Sequence, residues 1–407
     1  MSASPSDDTR SIVLPDSVRR RIEAIQQRPL HDWSLAFLDA KRQCTDPLAD
    51  DVISTVLGRG QGGYVNQLFR DLVRNDDPVP GNMPAEISDY FRQTTQLPEW
   101  FDPDLIALSQ QVYKLHGHLM GLVLSCKSLP ESYACAKGAM VLYQTGRLNE
   151  HHGAREAFTR RIVETAQFVV NVMSPDSFEP EGLAIRTVQK VRLIHATIRY
   201  YLRTNGWQTS LYDEPINQED MAGTLMAFSV LVLDGLKKMR INLAPEEEEA
   251  FLHAWRVVGY LMGVDDDLLP ANCTDGRRLG KAILDHQIEP SDHGRELTGA
   301  LIKFKQEISL EGWVGKVPEW IHFMVGPDIA ATIGVEADPE KLQDLQELMN
   351  TFDKVDSLVK SSPIVEDVAA MLARVALKMM IGFMGRNVDV NFYLPESLKK
   401  DWGVDPT

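Results

Sequence analysis

Residues 153–206 read GAREAFTRRIVETAQFVVNVM, then SPDSFEPEG, then LAIRTVQKVRLIHATIRYYLRTNG. The outer pieces carry apolar residues at three- and four-residue spacing, each over about twenty positions. Between them Pro175, Asp176, Pro180 and Gly182 supply residues that end helices and make turns. This is the pattern of a helical hairpin. His195 lies in its second arm, on one face with Val188, Val191, Ile198 and Leu202. Arg192 and Arg199 flank it, with Arg186, Lys190 and Arg203 nearby. In the first arm Arg161, Glu164, Thr165 and Phe168 share a face. Such a histidine is either a hydrogen-bonded core residue or the ligand of a bound ion or cofactor. Arg161 and Glu164 are either a surface ion pair, worth a few tenths of a kcal/mol, or the polar lining of a pocket.

Outward from the hairpin the same periodicity predicts helices near 17–28, 47–57, 62–74, 84–95, 103–125, 131–146, 217–239, 245–263, 274–287, 293–309, 315–325, 340–354 and 364–384. Capping residues and prolines open several of them, such as Asp102-Pro103 and Pro245 followed by four glutamates. The long apolar segments 103–125 and 217–239 are expected at the centre, with Leu225, Phe228, Val232 and Leu236 on one stripe. Only Asn387 to Tyr393 suggests an extended segment. The expected fold is an all-α, single-domain helical bundle over 13–400, with 1–12 and 401–407 as frayed ends.

Composition narrows the function classes. The net charge of −16 argues against an electrostatically driven nucleic-acid or anionic-membrane partner. The longest apolar run, Met221 to Leu233, is shorter than the roughly 20 residues of a membrane span. Arg19, Arg20 and Arg21 are followed by a polar segment, not the apolar core of an export signal, so a cytosolic protein with inert thiols is expected. Cys44, Cys126, Cys135 and Cys273 contain no C-x-x-C pair, which excludes a cysteine zinc site and covalent c-type haem.

Other motifs fail on spacing. His116 and His118 diverge by about 200° on a helix and cannot share one metal. No H-E-x-x-H, nucleophile elbow or phosphate-binding loop is present, and Gly58 to Gly63 reads as a hinge between helices. Asp265-Asp266-Asp267 lacks the alternating spacing of a calcium loop. His253, flanked by Phe251 and Trp255, is expected to be a hydrogen-bonded core histidine.

The chain resembles the latex clearing proteins (rubber oxygenases) and the wider b-type haem oxygenase family that includes the oxygenase of mycophenolic acid biosynthesis. The resemblance runs from about residue 30 to 400. It rests on Tyr133 to Leu148, Arg161-x-x-x-Thr165, Ile185 to His195, Pro215 to Thr224 and Trp255 to Asp266. It implies a globin-like helical core around non-covalent haem b, with His195 as proximal iron ligand and Arg161 and Thr165 on the distal side. Dioxygen is the implied co-substrate. Arg192 and Arg199 are expected to contact the propionates or to support the helix. Two departures stand out. Where the rubber oxygenases carry an iron-ligating lysine this chain has Glu164, expected to act as distal acid–base or as a ligand. Their catalytic carboxylate falls in register near Thr145, with Glu150 as a rival. Because rubber oxygenases are secreted, the expected substrate here is a small apolar, isoprenoid or otherwise unsaturated molecule. The alternative is a haem-binding carrier or sensor without turnover.

Overall fold

The computed structural model describes residues 14–147, 154–308 and 317–347. Over these residues the chain is helical, and its one β-type contact is an isolated antiparallel bridge between Cys135 and Ile288. The amino-terminal third runs α1 (Asp16–Gln26), α2 (Leu35–Lys41), α3 (Pro47–Gly58), α4 (Gly62–Asp71) and α5 (Ala85–Thr94). Next come α6 (Pro103–Val123), a π-helical turn (Leu124–Ser128), α7 (Leu129–Ala134) and α8 (Ala136–Arg147). The hairpin arms are α9 (Ala154–Met173) and α10 (Ala184–Thr204). After them follow α11 (Thr209–Tyr212), α12 (Gln218–Phe228), α13 (Val230–Lys238), α14 (Pro245–Met262) and α15 (Cys273–Gln287). The described chain closes with α16 (Asp292–Ile308), α17 (Val317–Val325), α18 (Pro327–Thr332) and helical residues 339–347. The all-α class is as expected. The expectations for 1–12, Glu150, 364–384, Asn387–Tyr393 and 401–407 lie outside the described residues.

Tertiary packing cuts the predicted helix 217–239 in two. At Ser229 the backbone turns to φ −109° and ψ −98°, although the apolar stripe runs on through it. Its hydroxyl donates to the Leu225 carbonyl (2.8 Å), and the Ser128 hydroxyl takes the Ala227 carbonyl (2.6 Å). The Ala227 carbonyl at the break thus keeps a partner, as buried ones must. The break lets α13 press on α6, where Gly235 has no room for a Cβ because Val123 Cγ1 would lie 2.2 Å from it.

Helix α10 is the axis of the molecule. It packs on α3, α9 and α14, and α14 packs in turn on α6. From Ala184 to Lys190 every residue of α10 is buried. Polar side chains there find internal partners: Gln189 donates to the Phe91 carbonyl and to Thr94, and Lys190 to the Phe69 carbonyl, while Arg186 keeps only its Nε without one. No helix among the described residues is long and apolar enough to cross a membrane. Cys126 and Cys273 are buried, and Cys44 is exposed.

Candidate functional site

The arms of the hairpin are bridged near their connecting loop, where Asn171 Nδ2 donates to Thr187 Oγ1 (3.0 Å). Counting back from this bridge in equal steps of about 1.5 Å along each arm brings Glu164 level with Ile194, and Arg161 level with Thr197. The charged face of α9 therefore stands at the height of His195. The loop end is closed, since Val172, Met173, Phe178, Ala184, Ile185 and Val188 are all buried. At the level of His195 the helices are less tightly covered. Val191, Ile194, His195 and Ile198 on α10 are half-buried, as are Arg161, Ile162 and Glu164 on α9, and Thr165 is exposed.

His195 is unusual for an interior histidine because its ring makes no hydrogen bond among the described residues. Its Nδ1 is sealed from solvent without a partner. A core histidine held only by protein normally finds a protein partner for its ring, as His253 does, with Nε2 accepting the Asp102 backbone N–H at 3.1 Å. Burial, reinforced by the Arg199 charge and opposed by Asp46, pushes the His195 pKa down to about 4. The ring is therefore neutral at ordinary pH, the form in which imidazole binds a metal.

The flanking arginines face elsewhere. Arg192 donates through Nε and Nη2 to both carboxylate oxygens of Asp46 (2.6 and 2.8 Å) and through Nη1 to the Leu261 carbonyl (3.0 Å). Gly263, at φ +84°, caps α14, and a Cβ there would lie 2.6 Å from the Arg192 guanidinium. Arg199 donates to Asp50 (2.6 Å) and to the Ile216 carbonyl (3.3 Å). Of the two expected roles, propionate contact or helix support, these bonds are those of support. The sequence reading missed Asp46 and Asp50. The Asp46-Pro47 pair signals a helix start, and nothing local in it points to a guanidinium 146 residues away.

Arg161 is not a simple surface ion pair. Its Nη1 donates to the Leu142 carbonyl (3.1 Å) and its Nη2 to the Thr145 hydroxyl, tying α9 to α8. That hydroxyl in turn donates to the Val141 carbonyl (2.7 Å). Burial lowers the Arg161 pKa while the Tyr133 and Glu164 charges oppose that fall, so the Glu164 carboxylate acts on this guanidinium through space.

Elsewhere, Lys41 sits between Asp265 and Asp267 (2.7 and 2.6 Å), giving that acidic run a cationic partner. Gly58 to Gly63 joins α3 to α4, with Gly60 at φ +69°. Among the described residues no three His, Cys, Asp or Glu side chains converge on a point that could hold a metal by protein ligands alone. Any metal bound by His195 must bring most of its other ligands with it.

Comparison with known proteins gives concordant matches. The family model described as "ER-bound oxygenase mpaB/B'/Rubber oxygenase, catalytic domain" matches residues 109–402. A rubber oxygenase of Streptomyces sp. (strain K30) is 26% identical over 322 residues, covering 77% of each chain. The structure of a latex clearing protein in the closed state superimposes with a TM-score of 0.71 at 23% identity, covering 84% of this chain and 91% of that one.

Proposed function

This chain belongs to the ER-bound oxygenase mpaB/B′/rubber oxygenase family, and on that premise we propose that it is a haem b-dependent oxygenase using dioxygen as co-substrate. Its substrate is a small apolar molecule with a carbon–carbon double bond, of isoprenoid character. The Streptomyces relative is named for rubber, and Val191, Ile194 and Ile198 give His195 apolar surroundings.

One observation carries the cofactor assignment: a neutral, half-buried imidazole with a sealed Nδ1 and no hydrogen bond among the described residues, level with an arginine and a carboxylate on the packed neighbouring helix. Its donor chemistry fits haem b, where the porphyrin supplies the equatorial nitrogens and a single histidine suffices as protein ligand. Haem supplies one-electron redox chemistry and dioxygen activation. Every other function falls to the chain. His195 holds the cofactor from α10. Arg161, fixed by the Leu142 carbonyl and Thr145, presents a cation to developing negative charge. Thr165 offers a hydroxyl donor, and Glu164 holds or moves a proton beside them. Arg192 and Arg199, locked to Asp46 and Asp50, keep α10 in register with α3.

The test is chemical. Reduced protein mixed with oxygen and a candidate olefin yields cleaved or oxygenated carbonyl product, and Glu164→Gln keeps its haem but yields less. Tight haem binding with no product from a panel of isoprenoid olefins favours the carrier or sensor reading. The threonine hydroxyl on Arg161, near where the resemblance puts the family's catalytic carboxylate with Glu150 as the rival position, is the observation that favours that reading.

A further inference from the structure

Arg256, on α14, is 9% exposed, and its guanidinium makes no hydrogen bond or ion pair among the described residues. Its Nε is sealed from solvent without a partner. Other buried cations are provided for: Arg192 has Asp46, and Lys190 has the Phe69 carbonyl. Arg256 has instead the face of Trp100, with Cζ 4.5 Å from the ring centroid. A buried charge left this way is expensive unless something of opposite sign joins it.

The surroundings favour an anion. Trp100 lies edge-on to His253, one turn before Arg256, with centroids 5.7 Å apart. Because His253 Nε2 accepts the Asp102 N–H, the neutral ring must carry its proton on Nδ1. That N–H donates to no acceptor among the described residues. Arg28, exposed just beyond α1, adds a second positive charge. Burial first and Arg28 second lower the Arg256 pKa to about 10, and Arg28 also helps to lower that of His253. The nearby carboxylates are engaged elsewhere: Asp102, whose charge acts on His253, accepts from Arg21 (2.7 and 3.1 Å). Glu249 accepts the Cys273 N–H (3.2 and 3.1 Å), while Asp275 accepts from His31 and from the Ala271 N–H. Donors and cations thus gather beside Trp100 with no acceptor among them.

We propose that Arg256 and the His253 Nδ1–H, with Arg28 at the edge and Trp100 as the wall, form a binding site for an oxyanion, a carboxylate or a phosphate group. The site is separate from the His195 region. The neighbouring Trp255 ring turns instead to the aromatic cluster of Phe228 and Phe168, stacking on Phe228 at 5.0 Å. It does not depend on the oxygenase assignment.

Ligand-linked stability tests it, because an anion that binds only the folded chain raises the unfolding temperature in proportion to the logarithm of its concentration. Inorganic phosphate and acetate are titrated separately, up to about 50 mM, against sodium chloride at matched ionic strength. At least one of them is expected to raise the wild-type Tm beyond the chloride control, and which one does so identifies the class of oxyanion. Arg256→Met, an apolar replacement that removes the unpaired charge, abolishes the response. Arg28→Gln, at an exposed position that cannot compromise folding, raises the half-saturating concentration several-fold. His195→Ala leaves the response intact. A rise that persists in Arg256→Met, an unchanged half-saturation in Arg28→Gln, or no rise with either oxyanion overturns the proposal.

Discussion

Helix α10 presents two faces that look alike in sequence and differ in chemistry. On the face toward α3, Arg192 and Arg199 are matched to Asp46 and Asp50. One stripe away, His195 has no hydrogen bond among the described residues, and the opposing α9 brings Arg161 and Glu164 to its level. Basic residues three and four positions from a candidate ligand suggest that they serve the same ligand. Here they serve the scaffold. Arg199 keeps its Nη2 without a partner, but its charge is matched, whereas the His195 ring has no partner among the described residues and is the group to suspect of chemistry.

The contrast can be broken from the α3 side first. Asp46→Ala strands the Arg192 guanidinium in the interior, and breaking a buried pair of this kind costs about 3–5 kcal/mol. Urea unfolding should register that loss, while the haem bound per folded chain stays unchanged. Haem loss without loss of stability would reverse the roles of the two faces.

On the α9 side, Arg161→Ala should lower product formation about 10²-fold, the scale of removing one preorganised donor, with haem content retained. Thr145→Val takes away the acceptor of Arg161 Nη2 and should cost about 1–2 kcal/mol in urea, the penalty of an unsatisfied buried donor. Equal activity in wild type and Thr145→Val would mean that this hydroxyl does not orient the guanidinium.

The last effect is in acid. The folded-state pKa of His195, about 4, lies below its unfolded value of about 6.5. The unfolded chain therefore takes up the proton first, and the stability held by the neutral ring is present above pH 6.5 and lost as pH falls toward 4. His253, also lowered to about 4, behaves alike. The Tm of apoprotein should fall across that window, and His195→Ala should fall less steeply.

Much of this architecture was legible because periodicity and punctuation agree. The spans 153–173 and 182–204 became Ala154–Met173 and Ala184–Thr204, since Pro175 and Gly182 mark the loop between two strong stripes. His253 was identified correctly from its aromatic neighbours. What failed was set by distant contacts. The break at Ser229 interrupts no apolar pattern, and it is held by Ser128, 101 positions earlier in the chain. Helix α2, seven residues long, is too short to show a period. The site divides the same way. His195, Arg161 and Glu164 announce themselves by spacing. The partners that separate scaffold from chemistry, Asp46, Asp50 and Thr145, emerge only when the helices are laid side by side.

The proposed function requires the His195 ring to bond iron. The direct measurement is the absorption spectrum and iron content of purified wild type beside His195→Ala, each reconstituted with haem b. Wild type should show a Soret band with one iron per chain, and the variant should lose both while keeping its helical circular dichroism. Stoichiometric haem retained by His195→Ala, or a wild type that takes up none, would contradict it.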